Sequence, residues 1–259
     1  MPDPSPLNRS QILTQLQTQL EADKTVHALW LEGSDGTGSS DQFSDLDINI
    51  DVEDGHELIM LEKIQTILTT LAPLDIISDI SKPNEDLWFQ VFHLQGTSKH
   101  LLIDVVIQRH SRQFSFNRDN LAETPVILFD KTGVIQFHDT DKAALTRQLA
   151  SEVAHYEAKV AQSSRVEKYL SRKQFLEALL YYQKYILESV VGMARVIYTP
   201  FNTDYHLVRI SKQMPVAVVA KLTDLYQISS LAEIETKLPK AIAFFQELRD
   251  QYQQQPTSD

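Results

Sequence analysis

"GSDGTGSSDQFSDLDINID", residues 33–51, is the stretch that decides how this chain reads. A turn rich in glycine and serine runs straight into a pattern in which Leu46, Ile48, Ile50 and Val52 alternate with Asp45, Asp47, Asn49 and Asp51. Successive side chains of a strand point to opposite faces, so the alternation predicts one apolar face and one acidic face. Carboxylates at that spacing repel unless something positive lies between them.

Three motif readings compete for the stretch. A phosphate-binding P-loop fits the glycine frame of Gly33 and Gly38, but Ser39 stands where the phosphate-binding lysine is needed. A calcium-binding EF-hand fits Asp45, Asp47 and Asn49, but Ile50 occupies the glycine position and His56 the bidentate glutamate position. The third reading uses the whole stretch. Asp45 and Asp47, on one face of a strand, share a pair of divalent cations, the arrangement of two-metal phosphoryl transfer. Mg²⁺ suits the site because it is hard and sits between a few carboxylates and substrate phosphates. Gly33 and Ser34 supply close backbone approach and a hydroxyl for those phosphates. A third carboxylate should come from a neighbouring strand. Asp104 in "LLIDVVIQ" fits, as a lone acid among aliphatics.

Around this stretch the first half reads as a small α/β unit. Helices are predicted over 8–22 and along "GHELIMLEKIQTILTTL". Strands are predicted at "TVHALWLEGS", "DLDINIDV", "LDIISDIS", "DLWFQVFHL", "HLLIDVVIQ", "PVILF" and "GVIQF", forming a mostly mixed sheet. The second half reads as helical, with helices near 142–162, 165–198, 216–226 and 231–253 that suggest a bundle. Tyr169, Tyr181, Tyr182 and Tyr185 are read as core and interface residues. The tail "QYQQQPTSD" is expected to fray.

Charge supports the division. Residues 1–137 hold 9 basic against 21 acidic residues, net −12; residues 138–259 hold 15 against 14, net +1. Two domains are expected, 1–137 and 138–259, with a boundary near residues 137–140. The overall net charge of −11 argues against a duplex nucleic-acid binder. No apolar run is long enough to span a bilayer, and the opening "MPDPSPLNRSQ" has no hydrophobic signal core, so a cytoplasmic protein without membrane partners is expected. The absence of cysteine excludes disulfides, thiolate nucleophiles and thiolate metal sites.

"LEGSDGTGSSDQFSDLDINI", with ten residues between Ser34 and Asp45 and a third Asp downstream, resembles the signature of the DNA polymerase β-like nucleotidyltransferase superfamily. The "SDLD" form, Ser44 to Asp47, resembles its small-molecule branch, the aminoglycoside and lincosamide nucleotidyltransferases. "GMARVIY", "HLVRISKQMP" and "KLTDLY" resemble the helical domain of streptomycin/spectinomycin adenylyltransferases. The resemblance implies Mg²⁺-dependent transfer of a nucleoside monophosphate, AMP from ATP or the equivalent from another NTP, to a hydroxyl of a small molecule with release of pyrophosphate. Two Mg²⁺ ions would be held by Asp45, Asp47 and Asp104, with Asp104 as, or aligning, the general base. Gly33, Ser34 and Ser44 would contact the nucleotide, as would Arg195 and Lys212 (or Arg209) from the helical half.

One departure stands out: no Lys or Arg lies between Gly33 and Asp51, so counter-charge for the triphosphate is expected from metals and from the helical domain, across a cleft between the two. The acceptor class includes aminoglycoside-type antibiotics. A monomer or a homodimer fits equally. The rival readings are a protein-modifying AMP-transferase of the antitoxin type, against which the chain's length counts, and a catalytically silent nucleotide-binding module, against which the intact acids count.

Overall fold

The computed structural model describes residues 7–254, and the chain divides into two compact units, Met1–Thr140 and Asp141–Asp259. The first is built on a seven-stranded mixed sheet. Its strands are β1 (Val26–Leu31), β2 (Leu46–Val52), β3 (Leu74–Ile77), β4 (Ser81–Asn84), β5 (Leu87–Leu94), β6 (Ile103–Arg109) and β8 (Val126–Asp130). The order is β3-β5-β6-β2-β1-β8, with β4 paired to β5. β2 and β6 run parallel at the centre and the other pairs are antiparallel.

One face of the sheet is apolar for the reason the alternation gave. Leu46, Ile48, Ile50 and Val52 of β2 and Ile103, Val105 and Ile107 of β6 are fully buried. They join one cluster with Ile12, Leu16 and Leu20 of α1 (Arg9–Glu21) and Met60, Leu61, Ile64 and Leu68 of α3 (Glu57–Thr69). The three buried α1 residues are four apart, which aligns them on one helix face. Asn8 and Gln11 close a capping box that fixes where α1 begins. The opposite face carries the acids and is covered only in part. There Ala28 and Trp30 of β1 pack with Ile135, Phe114, Phe116 and Phe137. Phe116 and Phe137 lie on a two-stranded parallel pair, β7 (Phe116–Asn117) and β9 (Phe137–His138).

The second unit is helical: α4 (Lys142–Val160), α5 (Ser164–Ser171), α6 (Phe175–Tyr181), α7 (Glu188–Tyr198), α8 (Ile210–Gln213), α9 (Val216–Tyr226) and α10 (Leu231–Gln253). A wider π turn, Tyr182–Leu187, joins α6 to α7 without a break. Val166, Tyr182, Ile186, Val190, Met193, Leu222 and Phe245 share its core. Tyr182 is wholly buried, and Tyr169, Tyr181 and Tyr185 stack in a partly buried row with ring centroids 5.1 and 5.6 Å apart.

Two sequence expectations need correction. The helix expected over 165–198 is interrupted between α5 and α6, where Lys173 takes a left-handed φ of 58°. No glycine or proline marks the break, so apolar spacing alone ran through it. The strand expected at "GVIQF" contributes only its end, Phe137, and pairs with β7 rather than with the main sheet. Of the tail expected to fray, residues 251–253 continue α10, residue 254 caps it, and the rest lies outside the described residues.

Candidate functional site

The acids expected to act together are brought together by strand register. Asp47 of β2 is the direct Cα partner of Asp104 of β6, so the two side chains leave the same face of adjoining strands about 4.8 Å apart along the sheet. Asp45 lies two residues before Asp47 and is half-buried, as are Asp47 and Asp104. Burial first, and then the charges of Asp47 and Asp45, push the Asp104 carboxyl up to about 6. Its Oδ1 is buried with no hydrogen-bond partner. A carboxylate oxygen left this way is costly unless a ligand meets it.

The turn before β2 is built around Asp47. Gly33 has a φ of 65°, and a Cβ placed on it would lie 1.8 Å from Asp47 Oδ2. Only glycine lets the backbone come so close to the carboxylate. Gly33 opens a single helical turn, α2 (Gly33–Gly36). A Cβ on Gly36 would lie 1.9 Å from the Thr124 carbonyl, so the turn is pressed against the 3₁₀ segment Leu121–Glu123 and its exit. Ser34 Oγ is the second buried polar atom at this site without a partner. Gly33→Ala should therefore lose stability, about 1–2 kcal/mol from the left-handed backbone alone, and displace Asp47. Thermal denaturation read beside transfer rate checks this, and a variant matching the wild type in both would contradict the role given to the close approach.

Two residues here escaped the sequence reading. Arg9 at the start of α1 reaches over to the loop: its Nη1 donates to the carbonyls of Ser44 at 3.1 Å and Asp45 at 2.6 Å, and its Nη2 pairs with Asp35. The loop thus has a cation, supplied from far along the chain. The second is Glu32, just before Gly33. Its pKa is raised by burial, opposed by a hydrogen bond from Trp30 Nε1 at 2.7 Å, and raised further by the Glu123 and Asp47 charges. Ser44, expected to contact the nucleotide, closes its own turn, accepting from the Asp41 backbone N–H at 2.9 Å and donating to the Asp41 carboxylate at 3.1 Å.

The cations expected from the helical half are placed differently from one another. Arg195 on α7 is completely buried. Its Nε donates to the His206 carbonyl at 2.9 Å, its Nη1 to Gln213 Oε1 at 2.5 Å and Thr199 Oγ1 at 3.2 Å, and its Nη2 to the Val208 carbonyl. Within this packing its donors meet Thr199 and the 206–213 segment. Lys212 on α8 is exposed. Arg209, at the left-handed N-cap of α8 with a φ of 56°, is half-buried.

The sequence model described as streptomycin adenylyltransferase matches residues 8–257, nearly the whole chain. No curated protein matches. Among solved structures, an aminoglycoside 6-adenyltransferase from Bacillus subtilis aligns with 93% of this chain and 89% of its own at 12% identity and a TM-score of 0.37. JHP933 from Helicobacter pylori aligns with 97% and 96% at 12% identity and a TM-score of 0.27. These structural likenesses are distant, and the family assignment rests on the sequence match.

Proposed function

The chain belongs to the streptomycin adenylyltransferase family and is a nucleotidyltransferase, and from that premise we propose that it moves AMP from ATP to a hydroxyl of a small, aminoglycoside-type molecule in the presence of Mg²⁺. The observation that carries the reading is the unpartnered Asp104 Oδ1 beside Asp47 and Asp45. Three carboxylates on one sheet face, one of them with an oxygen that nothing satisfies, are a donor set for a hard divalent cation.

Asp45, Asp47 and Asp104 would hold Mg²⁺, which when bound would neutralise phosphate charge at the reacting centre. The residues do the rest by position. Ser34 Oγ and the Gly33 backbone face the phosphates. Arg9 holds the loop that carries Ser44 and Asp45. Asp104 takes the acceptor's proton as the hydroxyl oxygen bonds to the α-phosphorus and the bond to the bridging oxygen breaks, releasing pyrophosphate. Burial and the Asp47 and Asp45 charges raise the metal-free Asp104 carboxyl, and a bound Mg²⁺ would favour its ionised form, the form able to accept the acceptor's proton. Rate enhancement would come from positioning and charge neutralisation, with no covalent enzyme intermediate.

The test is a turnover screen of ATP, GTP, CTP and UTP with Mg²⁺ against aminoglycoside and lincosamide panels, with the products weighed by mass spectrometry. An acceptor gaining one adenylate, with pyrophosphate released, is the expected result. Pyrophosphate release with label on a protein instead would overturn the small-molecule acceptor, and no turnover with any pair would count against the activity.

A further inference from the structure

At the other end of β2, about 13 Å along the strand from Asp47, lies a group of different chemistry. We propose that His27, Asp51 and His110 form a second metal site that takes one borderline transition ion, such as Zn²⁺, through two imidazoles and one carboxylate. His27 lies on β1, Asp51 on β2 and His110 just after β6. Each offers a donor atom, and the three donors lie within 4.8 Å of one another. Tetrahedral ligands about 2.0–2.2 Å from an ion lie about 3.4 Å from one another, a spacing that side-chain rotation can reach from donors already this close.

Asp51 is wholly buried, and its two oxygens are held in fixed directions. Oδ1 lies 2.6 Å from His110 Nδ1, and Oδ2 accepts from Gln108 Nε2 at 2.7 Å. The Gln108 amide is itself oriented, because its Oε1 accepts from Arg112 Nη1 at 2.5 Å. This chain of hydrogen bonds behind a carboxylate is what metal sites use to aim their ligands. A simple His110–Asp51 pair would satisfy the acid but leaves His27 unexplained. The His27 ring lies against that of His110, with centroids 3.9 Å apart and planes tilted by 34°, and it makes no hydrogen bond to either partner. An ion accounts for all three. The His110 side chain is 39% exposed, which opens a path for the ion to enter.

The ligand set decides the ion. Two imidazoles suit Zn²⁺ and its neighbours in the first transition row, whereas Mg²⁺ selects oxygen ligands. The two ends of β2 would thus bind different metals, and excess Mg²⁺ should not displace the second. Binding at His110 Nδ1 would replace its hydrogen bond with Asp51 Oδ1 and leave the neutral imidazole's one proton on Nε2. The ion would pin β1, β2 and the segment after β6 together.

The experiment uses the full chain, stripped with a chelator, and titrates Zn²⁺ against a chromophoric competitor in excess Mg²⁺. One Zn²⁺ per chain is expected, with a rise in melting temperature, and Co²⁺ should give the visible absorption of nitrogen ligation. Asp45→Asn and Asp47→Asn should bind Zn²⁺ like the wild type. Gln108→Ala should weaken binding by about 10–100-fold, and His27→Gln should weaken it further. His110→Gln, which can still hydrogen-bond Asp51, gives a second ligand variant with the fold protected. The site is refuted if the wild type binds no Zn²⁺, or if both histidine variants bind it as tightly as the wild type.

Discussion

Asp47→Asn is expected to abolish nucleotidyl transfer while leaving the fold intact. Asp47 sits at the centre of the site, in register with Asp104 and against the Gly33 backbone. Asparagine keeps its shape and removes its charge. Loss of a metal-binding carboxylate should exceed the roughly 10–100-fold typical of residues that only support a ligand. The folded state should not suffer. Asp104 is held up in part by the Asp47 charge, so removing that charge relieves a repulsion. The metal-free Asp47→Asn protein should therefore melt at or slightly above the wild-type temperature, with transfer lost at saturating Mg²⁺. Near-normal turnover would remove Asp47 from the metal set, and a large drop in melting temperature would make it a structural residue.

The second large effect is a pH-dependent one at Asp104. Its folded pKa of about 6 stands above the ordinary value of 3.8. A raised carboxyl is neutral in the folded protein where the unfolded chain has already ionised. The metal-free protein therefore loses stability from this group as pH rises from about 4 to about 6, and the penalty persists above that range. Asp104→Asn cannot ionise. Its melting temperature in chelator should match the wild type near pH 4 and exceed it increasingly up to pH 6, with a constant gap beyond. The same substitution should collapse kcat while changing the KM for ATP only a few-fold, because a base acts mostly in the transition state. A general base alone is worth about 10²–10⁴-fold. Melting curves in which the variant falls below the wild type at every pH, with kcat retained, would place Asp104 in structure and not in chemistry.

What could be read from the sequence divides along a physical line. Alternation in "DLDINID" encodes which residues share a face, and the apolar half of that pattern is the half buried against α1 and α3. Asp104 was legible because an acid in an aliphatic strand is conspicuous, and the parallel register places it opposite Asp47. Alternation does not encode what lies over a face. Asp51 belongs to the same acidic row as Asp47, yet it is wholly buried and tied to Gln108 and His110, 57 and 59 residues further on. Arg9 was hidden for a like reason: it is one polar residue on an amphipathic helix, and only the fold brings it 35 residues along the chain to the Ser44 carbonyl. Arg195 entered as a nucleotide contact implied by the resemblance alone, and nothing in the sequence marked it as buried. Burial and three hydrogen-bond acceptors at His206, Val208 and Gln213 make it a brace for the 206–213 segment.

Whether the acids at the start of β2 and β6 hold a divalent ion together with a nucleotide, as proposed, can be tested before any acceptor is known. Mn²⁺ is a paramagnetic substitute for Mg²⁺ with similar ligand preferences, and its bound fraction can be read by electron paramagnetic resonance as ATP is added. The expected result is Mn²⁺ bound with ATP by the wild-type chain and by His27→Gln, displaced by excess Mg²⁺, and lost in Asp45→Asn combined with Asp47→Asn. Equal Mn²⁺–ATP binding by the wild type and by that double variant would contradict the account.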